Sequence, residues 1–175
     1  MRKLIISMSL GLAVASPAGA FTNEPDGFGS LKFGASAAAA KTAFPAITHK
    51  GTEEFLSLYE LHDQSVFGLK PCALALRFVD DQLYEIQFAC EQRDRVVRTL
   101  RKRFGEPTQD KAGSSVWLGE RATVGVNQAG LFSFSDRRRA QIANQKLLGY
   151  LVRSQARATA SSVAPTPAAT VPPQP

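Results

Sequence analysis

The chain has 175 residues, 44% of them hydrophobic and 21% charged, with a net charge of +6. This composition excludes a collagen-like or wholly disordered chain. The length suits one domain with a single core, plus tails.

Residues 1–20 predict a secretory leader. Arg2 and Lys3 supply the positive start, residues 4–15 are an apolar run, and Ser16 and Pro17 break it. Ala18-Gly19-Ala20 offers the small residues that precede cleavage. The apolar run falls short of the ~20 residues a membrane-crossing helix needs. No later window reaches that length, so no membrane span is expected. No cysteine follows the small-residue site, which argues against a lipid anchor. The expectation is a periplasmic protein whose mature chain starts at Phe21. The leader holds two of the 21 basic residues and none of the 15 acidic ones, which leaves +4. Residues 21–90 hold 5 basic and 9 acidic residues, whereas residues 91–175 hold 14 and 6. The C-terminal half is therefore strongly basic.

After the leader, residues 27–30 read as loop and Leu31-Lys32-Phe33 as a short extended piece. Ser36 can cap a helix over residues 37–43, which Phe44-Pro45 ends. Residues 54–60 and 65–69 read as strands, the second stopping at Lys70-Pro71. His49 and His62 fall in expected loops.

Cys72 and Cys90 are the two cysteines of the chain. In an oxidising compartment they are expected to form a disulfide. Residues 73–79 and 83–89 are strand-like, separated by Asp80-Asp81-Gln82. With Cys72 opposite Cys90, Leu74 faces Phe88, Leu76 faces Ile86 and Phe78 faces Tyr84. Strand side chains alternate, so all eight residues share one greasy face. The other face, with Arg77, Glu85 and Gln87, is more polar.

Residues 91–104 have helical spacing, with Val96, Val97, Leu100 and Phe104 as the apolar stripe. Gly105 and Pro107 end this helix. Residues 115–118, 122–126 and 131–135 predict three more strands. Asp136 can cap a last helix reaching about Val152, with Arg137, Arg138 and Arg139 in its first turn, where the helix dipole disfavours cations. From residue 154 the chain turns Ala- and Pro-rich, and a disordered tail is expected. The predicted organisation is leader 1–20, one domain over 21–153 and tail 154–175. The predicted fold is α+β, with about six antiparallel strands, two or three helices on one face and one cross-strand disulfide. No repeat is visible.

Signs of catalysis are sparse. The two histidines lack metal-ligand spacing, and His62-Asp63 with Ser65 lacks a nucleophile elbow. Glu53-Glu54 and Asp80-Asp81 are neighbours, which point to opposite faces of a strand. No phosphate-loop or dinucleotide signature occurs. The reading is a non-enzymatic protein without metal or cofactor. What stands out is the basic surface: six cations between Arg93 and Arg103, and six between Arg137 and Arg157. Arg93, Arg98, Arg101, Lys102, Arg137, Arg138 and Arg139 are the candidate contacts for an anionic partner, either a protein or a component of the cell envelope. Nucleic acid is not expected outside the cytoplasm, and the oligomeric state is left open. An inhibitor or immunity protein that plugs an enzyme cleft with residues 119–121 or 127–130 is the alternative. A small hydrolase is a third reading.

The order of short motifs resembles a loosely defined group of small secreted bacterial proteins of unknown function. It runs through Gly27-Phe28-Gly29-Ser30-Leu31-Lys32-Phe33-Gly34-Ala35-Ser36, Phe44-Pro45, Phe78-Val79-Asp80-Asp81-Gln82-Leu83-Tyr84-Glu85-Ile86, Phe104-Gly105-Glu106-Pro107 and Trp117. Ala38 and Ala39 depart from it, standing where acids are common. The resemblance implies a periplasmic α+β domain and brings no catalytic residues with it.

Overall fold

A computed structural model describes residues 21–162 apart from 22, 92 and 112, with the backbone alone for 158–162. The predicted leader and residues 163–175 of the predicted tail lie outside the described residues.

The chain adopts an α+β fold: an antiparallel sheet, helices packed on one face, and a disulfide between Cys72 and Cys90. A ribbon of β1 (Gly27–Phe28) and β2 (Leu31–Lys32) leads into α1 (Ala37–Ala43). Four strands follow: β3 (Thr48–Glu53), β4 (Leu56–Val66), β5 (Leu69–Val79) and β6 (Gln82–Cys90). Next come α2 (Arg93–Phe104), β7 (Gln109–Lys111), β8 (Ser114–Leu118), β9 (Ala122–Val126), β10 (Leu131–Asp136) and α3 (Arg137–Ser162). The main sheet has eight strands in the order β3-β4-β5-β6-β10-β9-β8-β7. A helix followed by a four-strand meander thus occurs twice, and the two meanders meet through their last strands, β6 and β10. The sequence does not display this repetition, because the two halves share no residue pattern beyond apolar alternation.

Two of these strands, β3 and β7, go beyond the six expected. Both are edge strands, and all of their residues are exposed. An edge strand wet on both faces has no hydrophobic alternation to reveal it. Most of the expected strand at 54–60 and the first two residues of that at 65–69 belong to one strand, β4, while Leu69 already opens β5. Strand β4 passes through the His62–Gln64 stretch with irregular register, and Asp63 takes a positive φ of 58°. His49 and His62 consequently lie on strands, not loops. The turn after β4 is Phe67-Gly68, and Lys70-Pro71, joined by a cis peptide, lies inside β5.

The cystine hairpin keeps its expected register from Cys72↔Cys90 through Leu74↔Phe88 and Leu76↔Ile86 to Arg77↔Glu85. There the register shifts, so Phe78 faces Leu83 instead of Tyr84. The cause is the turn. Asp80 and Asp81 both have positive φ, 48° and 59°, and the two-residue hairpin they form sets Val79 opposite Gln82. The one-residue mismatch is absorbed at Tyr84 as a bulge. Leu83 joins the main core, and Tyr84 instead enters a second cluster with Val79 and Ala143.

The main core is aromatic. Phe88 stacks on Phe132 at 4.5 Å and meets Phe134 edge-on at 5.0 Å. Trp117 is fully buried, and its Nε1–H donates to the Gly105 carbonyl at 2.8 Å, tying β8 to the end of α2. Helix α1 starts as expected: the Ser36 hydroxyl accepts from the Ala39 N–H, while the Asp81 carboxylate accepts from the Ala37 N–H. Ala40 of α1 and Val96, Leu100 and Phe104 of α2 close over the core. Gly105, at φ +82°, ends α2 by donating its N–H to the Arg101 carbonyl.

Helix α3 crosses the end of the sheet where the β3–β4 and β5–β6 turns lie. Its Ala140 and Ala143 pack with Phe55, Leu56, Val79 and Tyr84, and Lys146 pairs with Asp80 in the β5–β6 turn. The helix runs to Ser162, so the domain boundary expected at 153/154 falls inside it, and residues 154–162 are helical. Three of these nine residues are Ala, the best helix former. Proline becomes frequent only beyond Ser162.

Candidate functional site

Helix α2 presents two faces. Val96, Leu100 and Phe104 are buried, and the far side carries Arg95, Arg98 and Lys102, all exposed. Their spacing of three and four residues lines them up on one stripe. Among the described residues none of these three makes an ion pair.

Four of the seven predicted contacts are instead committed within the chain. Arg93 donates to the carbonyls of Gly113 and Asn127, clamping the β7–β8 and β9–β10 turns, and it also pairs with Asp94 at 3.5 Å. Arg101 meets Asp110 at 2.5 Å and Glu106 at 3.5 Å. Arg137 donates to the Gly119 carbonyl at 2.5 Å. Arg139 pairs with Asp136 at 3.0 Å, donates to the Gln82 side chain at 3.1 Å, and lies close against Gly34, where a Cβ would sit 2.4 Å from its guanidinium. Arg98, Lys102 and Arg138 are left as exposed predicted contacts. Two of the three first-turn arginines of α3, Arg137 and Arg139, are thereby accounted for. The Asp136 carboxylate accepts the Arg139 N–H at 2.7 Å and so caps the helix with a negative charge. Arg137 bonds a carbonyl of the neighbouring turn.

The structure does not merge the two basic helices into one patch. Arg93 binds the turn at one end of β9, and Arg137 binds the turn at the other end. Helix α3 packs against β5, β6 and β10. Arg95, absent from the candidate contacts, belongs with Arg98 and Lys102. The helical spacing of these three in the sequence was the signal for it. Arg103 leaves the stripe, lying over the Phe67 ring at 4.5 Å.

Two acidic sites escaped the sequence reading. The Glu24 carboxylate accepts the N–H groups of Glu120, Arg121 and Ala122 at 2.7, 2.8 and 2.9 Å. Burial acts to raise its pKa, but the three N–H groups and the Arg121 charge outweigh it and hold the carboxyl below its ordinary value. Gly119 is required there, since a Cβ would lie 2.4 Å from the Glu24 carboxyl carbon. The second is Glu85. Burial raises its pKa, against the opposing Arg77 guanidinium, whose Nε stands 3.6 Å from a carboxylate oxygen. Gln87 accepts from Arg77, and the Ser135 hydroxyl lies 3.5 Å from Glu85. The Glu24 site joins residues almost 100 apart in sequence, and no local motif announces it; Glu85 and Arg77 are cross-strand neighbours of the hairpin, and only Ser135 reaches them from afar.

The two histidines make separate contacts. His49 Nε2 is 2.9 Å from the Thr52 hydroxyl, and His62 Nε2 is 3.8 Å from Glu60. An open depression of ≈ 380 Å³ lies beside the disulfide, with His62, Asp63 and Glu91 on its rim. Among the described residues no cluster of three His, Cys, Asp or Glu could hold a metal ion. No helix there is long and apolar enough to cross a membrane. Comparison with family models, curated proteins and solved structures finds no match to this chain.

Proposed function

We propose that this is a non-enzymatic periplasmic interaction protein that presents the Arg95–Arg98–Lys102 stripe of α2 to an anionic partner in the cell envelope. The observation that carries the reading is the stripe itself. Three exposed cations share one side of a helix with no acid paired to them among the described residues, while neighbouring Arg93 and Arg101 anchor the helix to the sheet's turns and strands. A fixed row of charge binds with less loss of freedom than a mobile one. The leader motif supports export, and the motif resemblance supports a small secreted domain. The test is retention of the chain on isolated envelope fractions as salt is raised. Binding should weaken with salt and be lost when Arg95, Arg98 and Lys102 are all changed to Glu, with Arg138→Glu as the control. Retention indifferent to both salt and the triple change refutes the proposal.

A second reading, an inhibitor or immunity protein acting through a loop, is favoured by the bracing of residues 127–130. Asn127 and Gln128 are exposed, and Arg93 fixes the turn from below. Stoichiometric co-purification with an enzyme, abolished by changes in that turn, would support it over the stripe.

A further inference from the structure

Helix α3 is 26 residues long, about 39 Å. It is held to the sheet by one side. Ala140 and Ala143 pack inward, and Arg139, Lys146 and Arg153 pair with Asp136, Asp80 and Glu54. The other side exposes Leu148 (56%), Leu151 (38%) and Val152 (68%). Such side chains are seldom left clustered on a helix surface without a partner.

The neighbours of this strip carry no charge. Asn144, Leu148, Leu151 and Gln155 follow one another at steps of four, three and four residues, the spacing of a coiled-coil seam. The seam reads the same in both directions about its midpoint, between Gly149 and Tyr150: amide, leucine, leucine, amide. Laid against an antiparallel copy of itself, each Leu148 meets the partner's Leu151, and each Asn144 meets the partner's Gln155. A two-fold interface requires this self-complementarity, and polar residues within a seam fix its register. A lipid surface fits less well. Interfacial helices flank their apolar strip with cations; on α3, Arg139, Lys146 and Arg153 are engaged with acids of the same chain, and the exposed Arg138 and Arg157 do not stand three or four residues from Leu148, Leu151 or Val152. An uncharged strip also lets two copies of a net-positive chain approach without repulsion.

We infer that the Asn144–Leu148–Leu151–Gln155 seam of α3 is a homodimer interface, closed by antiparallel pairing with α3 of a second copy. The inference is independent of the α2 stripe. The test is sedimentation of the full chain over a range of concentrations, with far-ultraviolet circular dichroism on every variant. The wild type should form a dimer. Leu148→Glu and Leu151→Lys, each alone, should raise the dissociation constant by about tenfold or more. Both side chains are already exposed, so the fold should survive. The double variant sets opposite charges against each other across the antiparallel seam and should dimerise again. A wild type that stays monomeric at every concentration overturns the inference, as does a dimer indifferent to the single changes. So does a double variant that remains apart, and so does a monomer that pellets with anionic-lipid vesicles.

Discussion

Breaking the Cys72–Cys90 bond should destabilise the domain by about 3 kcal/mol. The bond joins residues 18 apart and closes a loop whose lost freedom in the unfolded chain corresponds to that figure on the chain-entropy model. The folded state should survive the loss. Cys72 is 1% exposed and sits among buried side chains, and the Leu74↔Phe88 and Leu76↔Ile86 pairs beside it are fully or almost fully buried. The register is held a second time at the far end of the hairpin, by the Asp80-Asp81 turn. The effect therefore belongs mainly to the unfolded state. For a domain of this size it corresponds to a fall in Tm of about 10 °C. The assay is urea unfolding of the wild type with and without reductant, beside the Cys72→Ala/Cys90→Ala variant. The midpoint should drop by the same amount in both, with native circular dichroism retained in the absence of urea. An unchanged midpoint would refute the loop-entropy argument. Loss of native structure on reduction in buffer alone would show that the bond, not the packing, sets the register.

Phe88→Ala should cost about 3–5 kcal/mol, because Phe88 is fully buried against Phe132, Phe134 and Phe28; a loss under 1 kcal/mol in urea unfolding would mean that the core can collapse around the gap. Glu24→Ala and Gly119→Ala each remove the same carboxylate contact, so each should cost about 1 kcal/mol after solvent screening, and the double variant should lose little more than either single one. Glu24 has a lowered pKa in the folded chain, so its contribution is present above its unfolded value and is lost as pH falls through the folded value; Glu24→Ala should flatten the acid limb of the stability–pH curve, and an unaltered limb would contradict the assignment. Glu85 has the opposite sign. Its raised pKa means that the folded chain keeps a proton which the unfolded chain has released, so its contribution falls as pH rises from the unfolded value through the folded one. Glu85→Gln should remove that downward slope, read from unfolding midpoints over the same range.

The sequence carried the parts of this protein whose causes lie within a few residues. Ser36 and Asp136 announce helix starts because each side chain can reach an N–H three residues on. The apolar spacing of Val96, Leu100 and Phe104 announces the buried side of α2. The alternation between Cys72 and Cys90 announces the hairpin, its disulfide and most of its register. The edge strands β3 and β7 were illegible because residues wet on both sides need no apolar pattern. The bulge at Tyr84 was illegible because it arises from a mismatch between the cystine end of the hairpin and its turn, and each end alone is consistent with a regular ladder.

The basic surface divides along the same line. Composition alone places many cations in the second half of the chain, and helical spacing alone puts Arg95, Arg98 and Lys102 in a row. Which cations stay available is a tertiary matter. Arg93 is engaged by carbonyls 20 and 34 residues away, and Arg139 by a glutamine 57 residues back. A charge is committed or free according to what the fold brings within about 4 Å of it, and no pattern along the chain records that distance.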